Sequence, residues 1–285
     1  MSLVSEQWQL RERPFEPVTD ARFYFESKAH REALARLGYL VNQETMYLGM
    51  LSGEIGCGKS LTRQVFAAQI DPARHFLVQF ENSSFEFDDH LRRLLAEAGA
   101  GGNHASMQSS YALYEMTRQF LRELHTVHQR HLVLIFDEAQ DMSPEALAGL
   151  KRLSNLNDEG IGRLTIVLIG QPELRRLVSG LPALDQRISL RFHLRPLDLE
   201  DTRLYLKHRL VTAGHPDGDV FEEDAVELLH KASRGVAREI NRLAKLSLET
   251  ARSSSSDKIL AQHVRTVVED LRRHQEMPAL EGDSE

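Results

Sequence analysis

Gly53-Glu-Ile-Gly-Cys-Gly-Lys59-Ser60 satisfies Gly-x-x-x-x-Gly-Lys-[Ser/Thr] at every fixed position and follows directly on the apolar run Met46 to Leu51. A buried strand, a glycine-rich turn and a helix in that order restrict the chain to folds that present a phosphate-sized nest at a strand end. Gly53, Gly56 and Gly58 permit the tight turn in which successive N–H groups point inward at a phosphate. Lys59 supplies a point charge for the β- and γ-phosphates and Ser60 a hydroxyl for Mg²⁺. The segment Leu61 to Ile70 offers a helix N-terminus to the anion. Glu54, Ile55, Cys57 and Leu61 complete the stretch expected to wrap a nucleotide.

A second half-site is expected at the end of another buried strand. His131-Leu-Val-Leu-Ile-Phe-Asp137-Glu138 provides it, because five consecutive apolar residues bounded by polar ones suit a strand buried on both faces of a parallel sheet. In this Walker B reading Asp137 holds the Mg²⁺ shell, and Glu138 orients or deprotonates the attacking water. The run Asp137-Glu-Ala-Gln140 also fits a helicase signature, but a two-lobed motor needs a second domain of similar size, for which 285 residues leave no room.

Charged residues make up 27% and apolar residues 41% of the chain, an ordinary balance for a soluble globular protein. The N-terminus has neither the basic start nor the apolar core of a signal peptide, and no apolar stretch is long enough to span a bilayer. A cytoplasmic protein is expected, with a peripheral place at the inner membrane as the variant. The single cysteine, Cys57, excludes an intrachain disulfide and a cysteine-based zinc site. The net charge of −7 argues against a surface that coats nucleic acid throughout. Between Lys231 and Arg273, however, ten Lys/Arg face five Asp/Glu, a local excess that fits either a solvated helical surface or a DNA contact.

Strands are expected at Met46 to Leu51, Phe76 to Phe80, around Leu132 to Phe136, at Leu164 to Ile169 and at Ser189 to Leu194. Helices are expected after Ser27, near Phe87 to Glu97, and from a turn at Gly99-Ala-Gly-Gly-Asn103 up to about Gln129. Strands alternating with helices imply an α/β three-layer sandwich around a five-stranded parallel sheet. From Pro196 onward the pattern is helical: Asp198 to Ala213, Glu222 to Ala232, Val236 to Ala251 and Ile259 to Arg273. The expected organisation is a nucleotide-binding domain over 1–195, with a linker over 1–26, a small all-helical lid over 196–275, and a disordered acidic tail over 276–285.

Three further positions acquire candidate roles. Gln171, at the tip of the strand beside Walker B, can touch both γ-phosphate and water as a sensor, or can simply cap the turn before Pro172. Arg187 is the candidate arginine finger for a neighbouring subunit, with Arg191 as the competing choice and a structural ion pair as the plain alternative for either. Arg238, following Gly235, can reach the γ-phosphate from the lid as a second sensor.

Taken with Pro14-Phe15, His30-Arg-Glu-Ala-Leu34, Leu153-Ser-Asn-Leu156, Ile169-Gly-Gln-Pro-Glu-Leu174, Gln186-Arg-Ile188 and Ser233-Arg-Gly235, these motifs make the chain resemble the AAA+ P-loop ATPases of the general secretion pathway A (ExeA/GspA) type. The resemblance covers nearly the whole chain. It implies ATP as the nucleotide, a ring or filament of identical subunits with the finger acting in trans, and an adenine pocket built partly from the segment around Pro14 to Phe23, with Pro14 and Phe15 among its residues. It also implies a protein partner in an envelope machine such as a secretin, pilus or polysaccharide exporter. The related transposition ATPases of the TniB, TnsC and MuB kind give the alternative, a regulator acting on duplex DNA. Ala237 stands where these relatives usually carry proline.

Overall fold

The computed structural model describes residues 7–16, 20–43, 46–99 and 109–274. In chain order the regular elements are α1 (Lys28–Asn42), β1 (Leu48–Gly53), α2 (Lys59–Gln69), β2 (His75–Phe80), α3 (Phe87–Glu97), α4 (Ser110–Thr126), β3 (His131–Phe136), α5 (Pro144–Asp158), β4 (Leu164–Gly170), α6 (Glu173–Ser179), α7 (Pro182–Asp185) and β5 (Ile188–Leu194). There follow α8 (Leu199–Thr212), α9 (Glu223–Ser233), α10 (Ala237–Ser253) and α11 (Ala261–Arg273). The turn expected at Gly99–Asn103 is described only at Gly99, and the tail expected from Glu276 lies outside the described residues.

The five strands form one all-parallel sheet in the order β2-β3-β4-β1-β5. The apolar runs become interior strands for the reason anticipated: every residue of β1 and β4 is buried, whereas edge strand β5 alternates buried and exposed positions. Leu132, Leu134 and Phe136 on one face of β3 join Leu164, Ile166 and Leu168 of β4 in a core completed by Leu91, Leu113 and Leu147 from α3, α4 and α5. Three helices between β3 and β5 were not anticipated. Of these α5 carries a legible apolar period at Leu147, Leu150, Leu153 and Leu156 and is capped by Ser143, whose hydroxyl accepts from Ala146 N at 3.1 Å.

The chain divides into two compact units. One comprises 30–53 and 62–194 and contains the sheet; the other comprises the described parts of 1–29, 54–61 and 195–285. The second unit is built on α8 to α11. Its core joins Tyr205, Leu210, Leu229, Ile240, Leu243 and Val264 to Trp8, Leu10, Phe15 and Phe23 from the N-terminal segment. Asp198 caps α8 by accepting from Asp201 N at 2.7 Å. Among the described residues no helix is long and apolar enough to cross a membrane.

Candidate nucleotide site

In a parallel sheet all C-terminal strand ends share one edge, and ligands of open α/β sheets bind outside that edge where the strand order reverses. Here β4 lies between β1 and β3. Register pairs Phe136 of β3 with Leu168, and Ser52 of β1 with Gly170. Asp137 and Glu138 therefore leave β3 at the level where Gly170 and Gln171 leave β4 and Gly53 ends β1. At the usual inter-strand spacing, two steps put Gly53 roughly 10 Å from Asp137.

Asp137 is buried, and its surroundings fix it tightly. Its backbone N–H donates to Phe80 O at 2.8 Å and its carbonyl accepts from the buried Ser83 hydroxyl at 2.5 Å. One carboxylate oxygen accepts from Glu138 N at 3.0 Å, and the other lies 3.0 Å from Arg63 Nε. Both side chains of that pair are only 6% exposed, so the contact is effectively a buried ion pair. The Nε–H is not aligned for a hydrogen bond, which makes the attraction chiefly ionic. Arg63 is steadied by donating from Nη1 to Gln79 Oε1 at 2.7 Å.

Glu138 sits in the left-handed region (φ 50°), a conformation a non-glycine residue adopts only when its surroundings impose it. Gln140 helps impose it. Its Nε2 donates to Glu138 Oε2 at 2.9 Å while its Oε1 accepts from Gln171 N at 2.9 Å, so one amide links the acid after β3 to the turn after β4. A Cβ on Gly170 would lie 2.6 Å from Gln140 Oε1, and the missing side chain is what admits this bridge.

In the other unit, Gly56 (φ 86°) and Gly58 (φ 95°) give the loop its turn, and Lys59 Nζ donates back to Glu54 O at 3.1 Å. Arg238 stands in the first turn of α10, and its backbone N–H donates to Gly56 O at 3.2 Å. A Cβ on Gly56 would lie 2.6 Å from Arg238 Cβ, so glycine is required there by both dihedral and space. Ala237 is the first residue of α10, a position that also accommodates proline. Cys57 is buried, and burial pushes its thiol pKa up, which disfavours the reactive thiolate.

Residues 42–178 match the model of an AAA domain. The chain carries an AAA domain. Over 261 residues, 90% of the chain, it is 32% identical to general secretion pathway protein A of Aeromonas hydrophila, and it spans 46% of that relative's length. It is thus similar to the ExeA/GspA type throughout, while covering less than half of that protein. Among solved structures it is similar to the Aeropyrum pernix ORC2 protein in its ADPNP–ADP complexes, with TM-score 0.58, 19% identity and coverage of 85% of this chain and 65% of that one. It is also similar to the Aeropyrum pernix ORC1 protein in complex with DNA, with TM-score 0.62, 17% identity and coverage of 94% and 70%. At these identities the two structures speak for the fold alone.

The AAA domain match includes the loop Gly53 to Ser60, Asp137, Glu138 and Gln171; Arg187 and Arg238 lie beyond it. Arg187 immediately precedes β5, whose first residue pairs with Leu48 at the start of β1. It is therefore at the opposite sheet edge, about 20 Å from the carboxylates of its own chain at 3.3 Å per strand residue. There Nη1 lies 2.7 Å from Asp158 Oδ2. Arg191, within β5, pairs with Asp185 at 2.9 Å. In the helical unit Pro14 O and Glu16 O accept from Arg209 at 2.5 and 2.7 Å, and the Phe15 ring is buried edge-on to Phe221. Two residues of the AAA domain escaped sequence reasoning as site members, Arg63 and Gln140. Gln140 was signalled by its place in Asp-Glu-Ala-Gln; an arginine one turn into a helix carries no such signal.

Proposed function

We propose that this chain is a magnesium-dependent ATP hydrolase that works as an oligomer, with the loop and the Asp137–Glu138 pair serving one triphosphate. The observation that carries the reading is the shared sheet edge, where the glycine loop, Gln171 and the acid pair leave three adjacent strands, within a stretch matched by an AAA domain. The choice of ATP as the nucleotide follows the resemblance of the motifs to ATPases of the ExeA/GspA type.

Loop amides, Lys59 and the N-terminus of α2 bind the phosphates, with Glu54 to Leu61 wrapping them. Pro14 and Phe15 are assigned to the wall of the adenine pocket. Ser60 and Asp137 offer one hydroxyl and one carboxylate oxygen, a donor set that suits Mg²⁺, which keeps water and phosphate as its other ligands. When bound, the ion neutralises phosphate charge and polarises the γ-phosphoryl group. Glu138 orients the attacking water and accepts its proton, and Gln140 holds that carboxylate in position. Gln171 and Arg238 contact the γ-phosphate. Arg187, at the opposite edge of the sheet, acts on the site of a neighbouring subunit in a ring or filament.

The output we assign is assembly work on a bacterial envelope machine through a protein partner, at the cytoplasmic side of the membrane, supported by the identity to general secretion pathway protein A. The transposition-regulator alternative rests on the basic excess between Lys231 and Arg273. Two of those cations are already neutralised by acids outside that count, Lys245 by Glu16 at 2.8 Å and Lys258 by Asp219 at 3.0 Å. The test is ATP binding and phosphate release. Lys59→Ala should lose tight ATP binding, while Glu138→Gln should keep binding and lose about 10²- to 10⁴-fold in turnover. A wild-type chain that ignores Mg·ATP in both assays refutes the proposal.

A further inference from the structure

Arg209 in α8 is 4% exposed, a rare place for a cation, and what it holds is backbone. Its Nε donates to Pro14 O at 2.5 Å and its Nη2 to Glu16 O at 2.7 Å, one N–H on each side of Phe15. The guanidinium also stands 4.6 Å from the centre of the Phe23 ring and 5.9 Å from that of Tyr205, whose π faces offset part of its lost hydration. Proline has no N–H, so its carbonyl is the one backbone group by which Pro14 can be tied. A buried carbonyl left unpaired is costly, and a single planar fork that answers two of them fixes the chain between.

The same face of α8 adds to the grip. Tyr205, His208 and Arg209 stand at i, i+3 and i+4, and the Phe25 ring packs 5.8 Å from Tyr205 and 5.9 Å from His208. Contact then passes to α10. The Tyr205 hydroxyl donates to Asn241 Oδ1 at 2.8 Å, and Lys245, one turn further, pairs with Glu16 at 2.8 Å. Arg238, one turn before Asn241, gives its backbone N–H to Gly56 O in the glycine loop. A single helix thus meets Gly56 at its first turn and the Glu16 side chain two turns later, while Arg209 fastens the backbone on both sides of Phe15 from α8.

We infer that Arg209 is a positioning residue for the base of the nucleotide, setting the backbone of Pro14 and Phe15 at a fixed place relative to the loop that takes the phosphates. This role rests on the assignment of that loop and of Pro14 and Phe15 to one nucleotide, and it adds a residue that acts through them. The side chains of Pro14 and Phe15 are buried, so the surface they offer a base is placed by their backbone, and backbone is what Arg209 holds. Lysine in its place keeps the charge but loses the planar fork, and cannot reproduce two N–H groups in fixed geometry over Phe23.

ADP and inorganic pyrophosphate separate base from phosphate when each is titrated calorimetrically, with Mg²⁺, into the 285-residue chain and its variants. Arg209→Lys should lose at least about tenfold in affinity for ADP and bind pyrophosphate as wild type does, since a displaced base wall leaves the loop untouched. An arginine with a merely structural role would weaken both ligands alike or neither. Trp8, the chain's one tryptophan, is buried in the same core, so an unshifted emission maximum shows the unit still packed. If that maximum moves to the red in Arg209→Lys, Lys245→Ala decides. This partly exposed position needs no repacking, and loss of its pair with Glu16 should cost ADP about two- to fivefold at unchanged pyrophosphate affinity. The role of Arg209 is overturned if the deciding variant keeps the wild-type ratio of ADP to pyrophosphate affinity, or if wild type binds the two equally. A wild-type chain that takes up neither ligand refutes the nucleotide reading and this role with it.

Discussion

Replacing Arg63 tests whether Asp137 is held by a buried counter-charge. The Nε to Oδ2 separation is 3.0 Å and both side chains are nearly inaccessible to water. At an effective dielectric constant near 20, unit charges about 4 Å apart between charge centres attract by about 4 kcal/mol. Arg63→Met removes that attraction and the bond to Gln79, so the expected loss is about 3–5 kcal/mol. The exposed arm of the network adds little, because Glu81 is 77% exposed and its contact with Nη2 is 3.4 Å. Urea unfolding at pH 7, run as a double-mutant cycle with Asp137→Asn, separates the pair from the bulk of the side chain. Arg63→Met should be strongly destabilising alone and much less so in Asp137→Asn, where the ion pair is already absent. Mg·ATP should raise the melting temperature of Arg63→Met more than that of wild type, since a metal at Asp137 replaces the missing cation. A loss below about 1 kcal/mol, or strict additivity with Asp137→Asn, would refute the reasoning.

The remaining predictions address other parts of the molecule. Arg187→Ala should bind ATP as wild type does and lose at least about 10³-fold in turnover if the side chain is the trans finger; wild-type phosphate release removes that assignment. Gly56→Ala should lower stability by about 1–3 kcal/mol in calorimetric melting and weaken ATP binding, because φ 86° and the 2.6 Å approach to Arg238 both oppose a side chain. For His131 the folded pKa, about 4, lies below the ordinary histidine value near 6.5, so the unfolded chain takes up the proton first. Its contribution is therefore fully present above about pH 6.5 and is lost as pH falls toward 4, at up to about 1.4 kcal/mol per pH unit. In phosphate-free buffer, stability of His131→Gln relative to wild type should rise across that window; parallel curves would show that the histidine does not sense its burial.

The legible parts of the site were those whose chemistry demands consecutive residues. Gly53 to Ser60 and Asp137-Glu138 each occupy one turn or one strand end, and the apolar runs before them announce strands because burial on both faces leaves no polar alternation. Gln171 was legible for the same reason, standing directly after β4. Residues that act by crossing between elements were not. Nothing in Lys59-Ser-Leu-Thr-Arg63 distinguishes an arginine that reaches Asp137 from one that faces solvent, and the link from Gln140 to Gln171 exists only because β3 and β4 are neighbours. Helices α6 and α7, of seven and four residues, are too short for a 3.6-residue period to declare itself.

By itself the sequence determined which backbone turns are permitted, which strands are buried, and hence that a glycine-rich strand end and an acidic strand end belong to one parallel sheet. Strand order and register were decided by tertiary packing: they set β4 between β1 and β3 and brought Arg63 onto Asp137. The division has a physical basis. Local patterns are written in dihedral preference and side-chain polarity along the chain, whereas electrostatic partnerships depend on which strand starts and ends the folded sheet places side by side.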